Sequence, residues 1–176
     1  MNQIAADYRK NPFDHIPSKI ADDIIRYAQD YGMYNSAFRD RFSALFSKLQ
    51  HFRAPEGTVV GNHRLRDMES LLSLDLACAE DVGNFPSLAD NLPRQLKHLR
   101  VRVRAVRQFS AAPCVEHELR SIDILLNRFY NRDNFAQMDQ FLVSLFLLFP
   151  SLGVVGVSGE SSSQFDYFTR EAIIRE

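Results

Sequence analysis

The sequence predicts an α/β chain in which a helical segment, residues 1–60, precedes a domain, residues 61–176, with a parallel sheet of about four strands and helices on one side. Three observations lead there. Apolar residues recur at helical spacing between residues 17 and 50, a breaker-rich stretch follows, and beyond it one aliphatic pattern appears four times.

Pro17 suits an early helical position because its fixed φ matches the helix and its missing N–H is not needed there. Ile20, Ile24, Ile25 and Ala28 then fall on one helical face, and Gly32 and Asn35 mark a break. A second helix is predicted from Ser36 to Gln50, carrying Phe38, Phe42, Leu45, Phe46 and Leu49 at steps of three and four. The stretch His51 to His63 contains Pro55, Gly57 and Gly61 and no clear period, so it is read as a linker with a boundary near residue 60.

The recurring pattern is Leu-x-x-Leu-x-Leu with aliphatic substitutions: Leu71, Leu74, Leu76; Leu96, Leu99, Val101; Leu119, Ile122, Ile124; Leu152, Val155, Val157. Its first positions lie 25, 23 and 33 residues apart. Each occurrence predicts a short strand with its aliphatic face in a shared core, because a single strand and its return cannot bury that face alone. Between the strands, Phe85 to Leu92 reads as a turn or brief helix and Val106 to Glu118 as irregular with some helix. Asp133 to Leu148 reads as a full helix. At the end of the chain a helix around Arg170 to Glu176 is predicted, with Phe165, Phe168, Ala172 and Ile173 on its apolar face.

Composition narrows the function classes. Lys and Arg total 21 against 22 Asp and Glu, so no global field draws the chain to nucleic acid or an anionic membrane. The longest apolar run, Phe141 to Phe149, is far short of the roughly 20 residues a membrane-spanning helix requires, and Met1 to Lys10 lacks the apolar core of a signal peptide. Cys78 and Cys114 are too few for a disulfide framework, which fits a reducing compartment, cytoplasm or nucleus.

The repeated pattern resembles the leucine-rich repeat family from Arg64 to Gly159. That family places Asn or Cys three residues after the last Leu of the motif; here the positions are Ala79, Arg104, Asn127 and Glu160, which implies a short, irregular arc. The segment from Pro12 to Ala28, with Ile16, Pro17, Ile20, Ile24 and Ile25, resembles the start of an F-box, with Lys19 where Glu is usual. An F-box followed by leucine-rich repeats implies a substrate-recognition subunit of a cullin-type ubiquitin ligase. Ile16, Pro17, Ile20, Ile24 and Ile25 would then bind a Skp-type adaptor, and the repeats a target protein. The alternative is a repeat scaffold whose N-terminal isoleucines only cap the core, with no ubiquitin role.

Positive charge is concentrated from Arg94 to Arg107. On a strand Arg100, Arg102 and Arg104 share the face opposite Leu99, Val101 and Val103, which makes them candidate contacts for an acidic or phosphorylated target. Aligning the repeats sets Asp75, Arg100 and Asp123 side by side, which would neutralise Arg100, and gives Arg102 the neighbours Ala77 and Leu125. Cys114 and His117, even with His63 and His98, lack the spacing of a metal site. Cys78 reads as a small buried hydrophobe. Gly156 to Gly159 lacks the lysine of a phosphate loop, and Ser158 lacks a nucleophile elbow. Neither a catalytic centre nor a cofactor is expected.

Overall fold

A computed structural model of the chain describes residues 15–56, 65, 68–79, 85–103, 106, 108–110, 112–126, 135–159 and 164–174. Helix α1, Ser18–Asp30, starts where Pro17 holds φ at −60° and its carbonyl accepts the N–H groups of Ile20 and Ala21. Ala21, Ile25 and Ala28 face the core. The helix closes on Gly32, whose φ of 66° is the left-handed conformation that favours glycine, while Met33 and Tyr34 donate to the Ala28 carbonyl. The Asn35 side chain then accepts the Phe38 N–H at 2.9 Å and caps the next helix.

The helix predicted from Ser36 to Gln50 is two short ones, α2 (Ser36–Arg41) and α3 (Ser43–Phe46), separated at Phe42. Burial is the reason. Leu45 and Leu49 enter the core while Phe38, Phe42 and Phe46 pack on its margin, and the chain must be extended by Phe52 to join the sheet. Such tertiary demands outweigh the local propensity of so short a segment.

The segment read as a linker contains the first strand, β1 (His51–Arg53). It is followed by β2 (Ser73–Leu76), α4 (Phe85–Ala89), β3 (His98–Val103), β4 (Ser121–Leu126), α5 (Phe135–Leu148), β5 (Val154–Gly159), β6 (Asp166–Thr169) and α6 (Arg170–Ile173). The described strands make one six-stranded sheet in sequential order, parallel from β1 to β5 and antiparallel between β5 and β6. Leu74, Leu99, Ile122 and Val155 are lateral partners, and every aliphatic position of the four-fold pattern is buried. Leu49, Phe52 and Ala54 repeat the same spacing one step earlier and are buried too, with Phe52 beside Leu74. These residues, helix α5 and Ala21, Ile25, Leu45 and Leu49 of the helical segment form one apolar cluster.

The strands are joined at a regular point. In each unit the carbonyl directly after the leading aliphatic residue accepts two successive N–H groups of the next unit: Gln50 from Leu72 and Ser73, Leu72 from Lys97 and His98, Lys97 from Arg120 and Ser121, Arg120 from Gly153 and Val154. In the first unit a side chain takes that place. There the Asp22 carboxylate of α1 accepts the N–H groups of Gln50 and His51 at 3.0 and 3.3 Å. Gln29 of the same helix donates to the Arg53 carbonyl at 2.7 Å, so α1 closes the open edge of β1.

Helix α5 buries Met138, Phe141, Leu142, Leu145, Phe146 and Leu148. Its buried Ser144 donates back to the Gln140 carbonyl. The described part of Val106–Glu118 contains no helix, and no described helix is long and apolar enough to cross a membrane. The predicted C-terminal helix is present over Arg170–Ile173, but Phe168, expected on its apolar face, lies instead in the strand β6, Asp166–Thr169. Pairing with β5 satisfies the backbone, and strand alternation lets Phe168 pack on the core while Tyr167 points the other way.

Candidate recognition surface

The sheet face opposite the core carries one continuous row of lateral partners: Arg53, Asp75, Arg100, Asp123, Gly156 and Tyr167. In a parallel sheet in this register such residues point to the same side. The predicted adjacency of Asp75, Arg100 and Asp123 is therefore present, and Arg53 extends it by one strand. Charges alternate along the row. Asp75 stands 3.8 Å from Arg100 and 4.0 Å from Arg53, contacts that in partly exposed side chains are worth about 0–1 kcal/mol each. The Arg53 guanidinium also reaches the Cys78 thiol at 3.5 Å and is held more firmly protonated by that contact and by Asp75. Cys78 is thus half-buried and hydrogen-bonded rather than a core hydrophobe, because it lies in the turn just beyond β2.

At the other end of the row the charge pattern gives way to aromatic rings. A Cβ at Gly156 would lie 2.7 Å from Asp123 Oδ1, 2.9 Å from Tyr167 Cε1 and 3.2 Å from Phe165 Cδ1, so the missing side chain lets both rings and the carboxylate close over the strand. Phe165 and Tyr167 have centroids 6.1 Å apart, and the Arg100 guanidinium sits 5.8 Å from the Phe165 centroid. Partial burial pushes the Asp123 carboxyl above its usual value; Arg100 and His98 pull it back only in part, and Asp75 adds to the rise. Two residues earlier on the strands, His98 Nδ1 meets Ser121 Oγ at 2.7 Å. Tyr167 is 64% exposed. A neutral ladder ending in an arginine, a carboxylate and two aromatic rings is suited to holding a protein surface, since tyrosine and arginine are the residue types that dominate binding energy at interfaces.

Of the predicted target contacts, Arg100 lies at the centre of this row between two carboxylates, Arg102 is half-buried beside Leu125, and Arg104 lies outside the described residues. Ala77 has already left β2 and does not pair with Arg102. Phe165, Tyr167 and Arg53 were not anticipated. Gly156 was the available signal, as the residue without a side chain at the position aligned with Asp75, Arg100 and Asp123.

The predicted adaptor contacts divide between two faces of α1. Ile25 is buried against the sheet and cannot touch a partner while the fold is intact; Ile16 and Ile24 are half-buried and packed on the core margin; Pro17 is exposed, and Ile20 is 46% exposed. With Tyr27 and Tyr31, whose rings lie 4.2 Å apart, Ile20 and Ile24 make a ridge about 100° around the helix from Ala21, Ile25 and Ala28. Among the described residues no group of three or more His, Cys, Asp or Glu could hold a metal ion; His63 lies outside them.

No protein-family model, curated protein or solved structure matches the chain.

Proposed function

We propose that the chain is a protein-recognition module of the leucine-rich repeat type and serves as a substrate-recognition subunit of a cullin-type ubiquitin ligase. The strand face binds the target protein, and the α1 ridge docks a Skp-type adaptor. The observation that carries this reading is the division of α1 into two faces. One seals the sheet, and the other leaves Ile20, Tyr27 and Tyr31 exposed in a line, the form in which helices dock into apolar grooves. The sequential parallel order and the carbonyl ladder support the repeat assignment.

The second reading is a repeat scaffold capped by α1, without a ubiquitin role. The Asp22 and Gln29 hydrogen bonds to the edge of β1 favour it, because they account for the helix without a partner. Adaptor capture by the full chain separates the two. Retention of a Skp-type adaptor by the parent and its loss in a folded Ile20→Asp, Tyr27→Asp variant supports the ligase reading. A folded parent that retains none leaves the scaffold.

A further inference from the structure

The ridge of α1 and the charged flank beside it share one spacing. Ile20, Ile24, Tyr27 and Tyr31 follow one another at steps of four, three and four, and so do Lys19, Asp23, Arg26 and Asp30, each one residue earlier. On the ridge Tyr31 is 67% and Tyr27 55% exposed, and Ile20 is open to water with them. On the flank Lys19, Arg26 and Asp30 are exposed. A line of large apolar side chains outside the core, bordered by charges, has the make-up of an interface.

Steps of four, three and four read the same from either end, so both stripes fit their own reversed copies. The charges of the flank run positive, negative, positive, negative. Turned end for end, that order of signs is inverted. A two-fold antiparallel pair of α1 helices brings the same flank of each helix together, so every charge meets its opposite. With the axis crossing α1 near Ile25, Lys19 falls opposite Asp30 of the second copy and Asp23 opposite Arg26, while Ile20 meets Tyr31 and Ile24 meets Tyr27. The two sets are offset by one residue, about 1.5 Å along the helix, which such long side chains absorb. Within the chain Asp23 and Arg26 form an exposed pair at 2.6 Å, whereas among the described residues neither Lys19 nor Asp30 stands in an ion pair.

The faces of α1 also leave room for this approach. The ridge lies about 100° around the helix from buried Ala21, Ile25 and Ala28, and the flank lies roughly opposite them, so the line midway between ridge and flank points about 150° away from the core face. Two copies meeting along that line keep their sheets on the far sides of the helix pair.

We propose that α1 pairs antiparallel with α1 of a second copy of this chain through the ridge and its charged flank. The proposal goes beyond the recognition reading and stands without it. An adaptor docked on the ridge and a second copy exclude one another, because both use Ile20, Tyr27 and Tyr31; under the ligase reading the dimer is the form the adaptor displaces. Contacts burying less than about 1,200 Å² are weak and transient, so the pair belongs to high protein concentration.

The test is the mass of the full chain by sedimentation equilibrium from about 10 μM to 1 mM, the range in which so small an interface dissociates. A mass that doubles across this range is the expected result. Tyr31→Ser should weaken the dimer at least tenfold. Asp30→Lys, which sets Lys19 against a lysine, should do the same, and Lys19→Asp combined with Asp30→Lys should restore association to within threefold of the parent. Both changes place charge favourably for the ends of α1, so the helix is kept, and circular dichroism checks it. Glu171→Lys, the same change of charge at an exposed position on α6, should alter association less than twofold. A chain that stays monomeric to 1 mM overturns the proposal, as does a dimer that persists in folded Tyr31→Ser. A dimer indifferent to Asp30→Lys, or not restored by the double exchange, overturns the antiparallel pairing. None of these readouts uses an adaptor, so a dimer that retains no adaptor sinks the ligase reading alone, and a monomer that retains one sinks this proposal alone.

Discussion

Replacing Asp22 by alanine removes the single acceptor that serves the Gln50 and His51 N–H groups, at 3.0 and 3.3 Å. In the later units a backbone carbonyl takes that place. A hydrogen bond to a charged group is worth about 1.5–3 kcal/mol net. Water reaches this edge in part, so Asp22→Ala should cost about 2 kcal/mol. For a chain of 176 residues that lowers the melting temperature by about 4–8 °C. Asp22→Asn keeps a carbonyl oxygen but loses the charge, which roughly halves such a bond, so about 1 kcal/mol is expected. Asp23→Ala is the control. Its pair with Arg26 is exposed, and its loss should be worth less than about 0.5 kcal/mol. Urea unfolding gives the energies, and amide exchange should show Gln50 and His51 losing protection selectively in Asp22→Ala. Unchanged stability together with unchanged exchange at these two amides would refute the capping argument.

Asp123→Asn should be more stable than the parent at pH 7. Because the folded carboxyl lies above its ordinary 3.8, the native parent takes up its proton first as pH falls and gains stability the variant lacks, so urea midpoints measured down a pH series should converge at and below 3.8. A parent more stable at neutral pH would mean that Arg100 and His98 outweigh burial. Tyr34 is pushed up to about 12 by burial beside Phe38, Phe46 and Phe52, against the pull of Arg39, and its hydroxyl has no hydrogen-bond partner among the described residues. The parent should therefore lose stability between pH 10 and about 12, as the unfolded chain ionises first, and Tyr34→Phe should lose less over that interval. Leu96→Ala and Leu119→Ala, equivalent fully buried positions in successive units, should each cost about 2–5 kcal/mol by chemical denaturation; a cost under 1 kcal/mol at either would deny the shared core.

Much of the sheet was legible because burial on one strand face forces alternation, and the leading aliphatic residue of each unit is buried with it. Leu71, Leu96, Leu119 and Leu152 therefore mark their strands in the bare sequence. Leu49, Phe52 and Ala54 obey the same rule but escaped notice, since Phe and Ala replace the aliphatic pair and Pro55 and Gly57 follow directly. Phe165, Phe168, Ala172 and Ile173 illustrate the reverse error: steps of three and four fit a helix, yet pairing with β5 makes Asp166–Thr169 a strand. The charged row was legible where register follows from the repeat, as with Asp75, Arg100 and Asp123. Its aromatic end was not, because β6 runs antiparallel and brings Tyr167 beside Gly156 by a reversal that no period announces.

The sequence by itself determined which residues enter the core of the four recognised strands and which stand opposite them, because both follow from periods of two and of about 23 to 33 residues within one chain. Only the tertiary structure decided what happens at the ends of the sheet. Asp22 meets Gln50 and His51 across nearly thirty residues, Ile25 turns into the core while Ile20 stays in water, and two rings close over Gly156. Each of these depends on long-range packing that satisfies an edge, and an edge exists only once the strands have assembled.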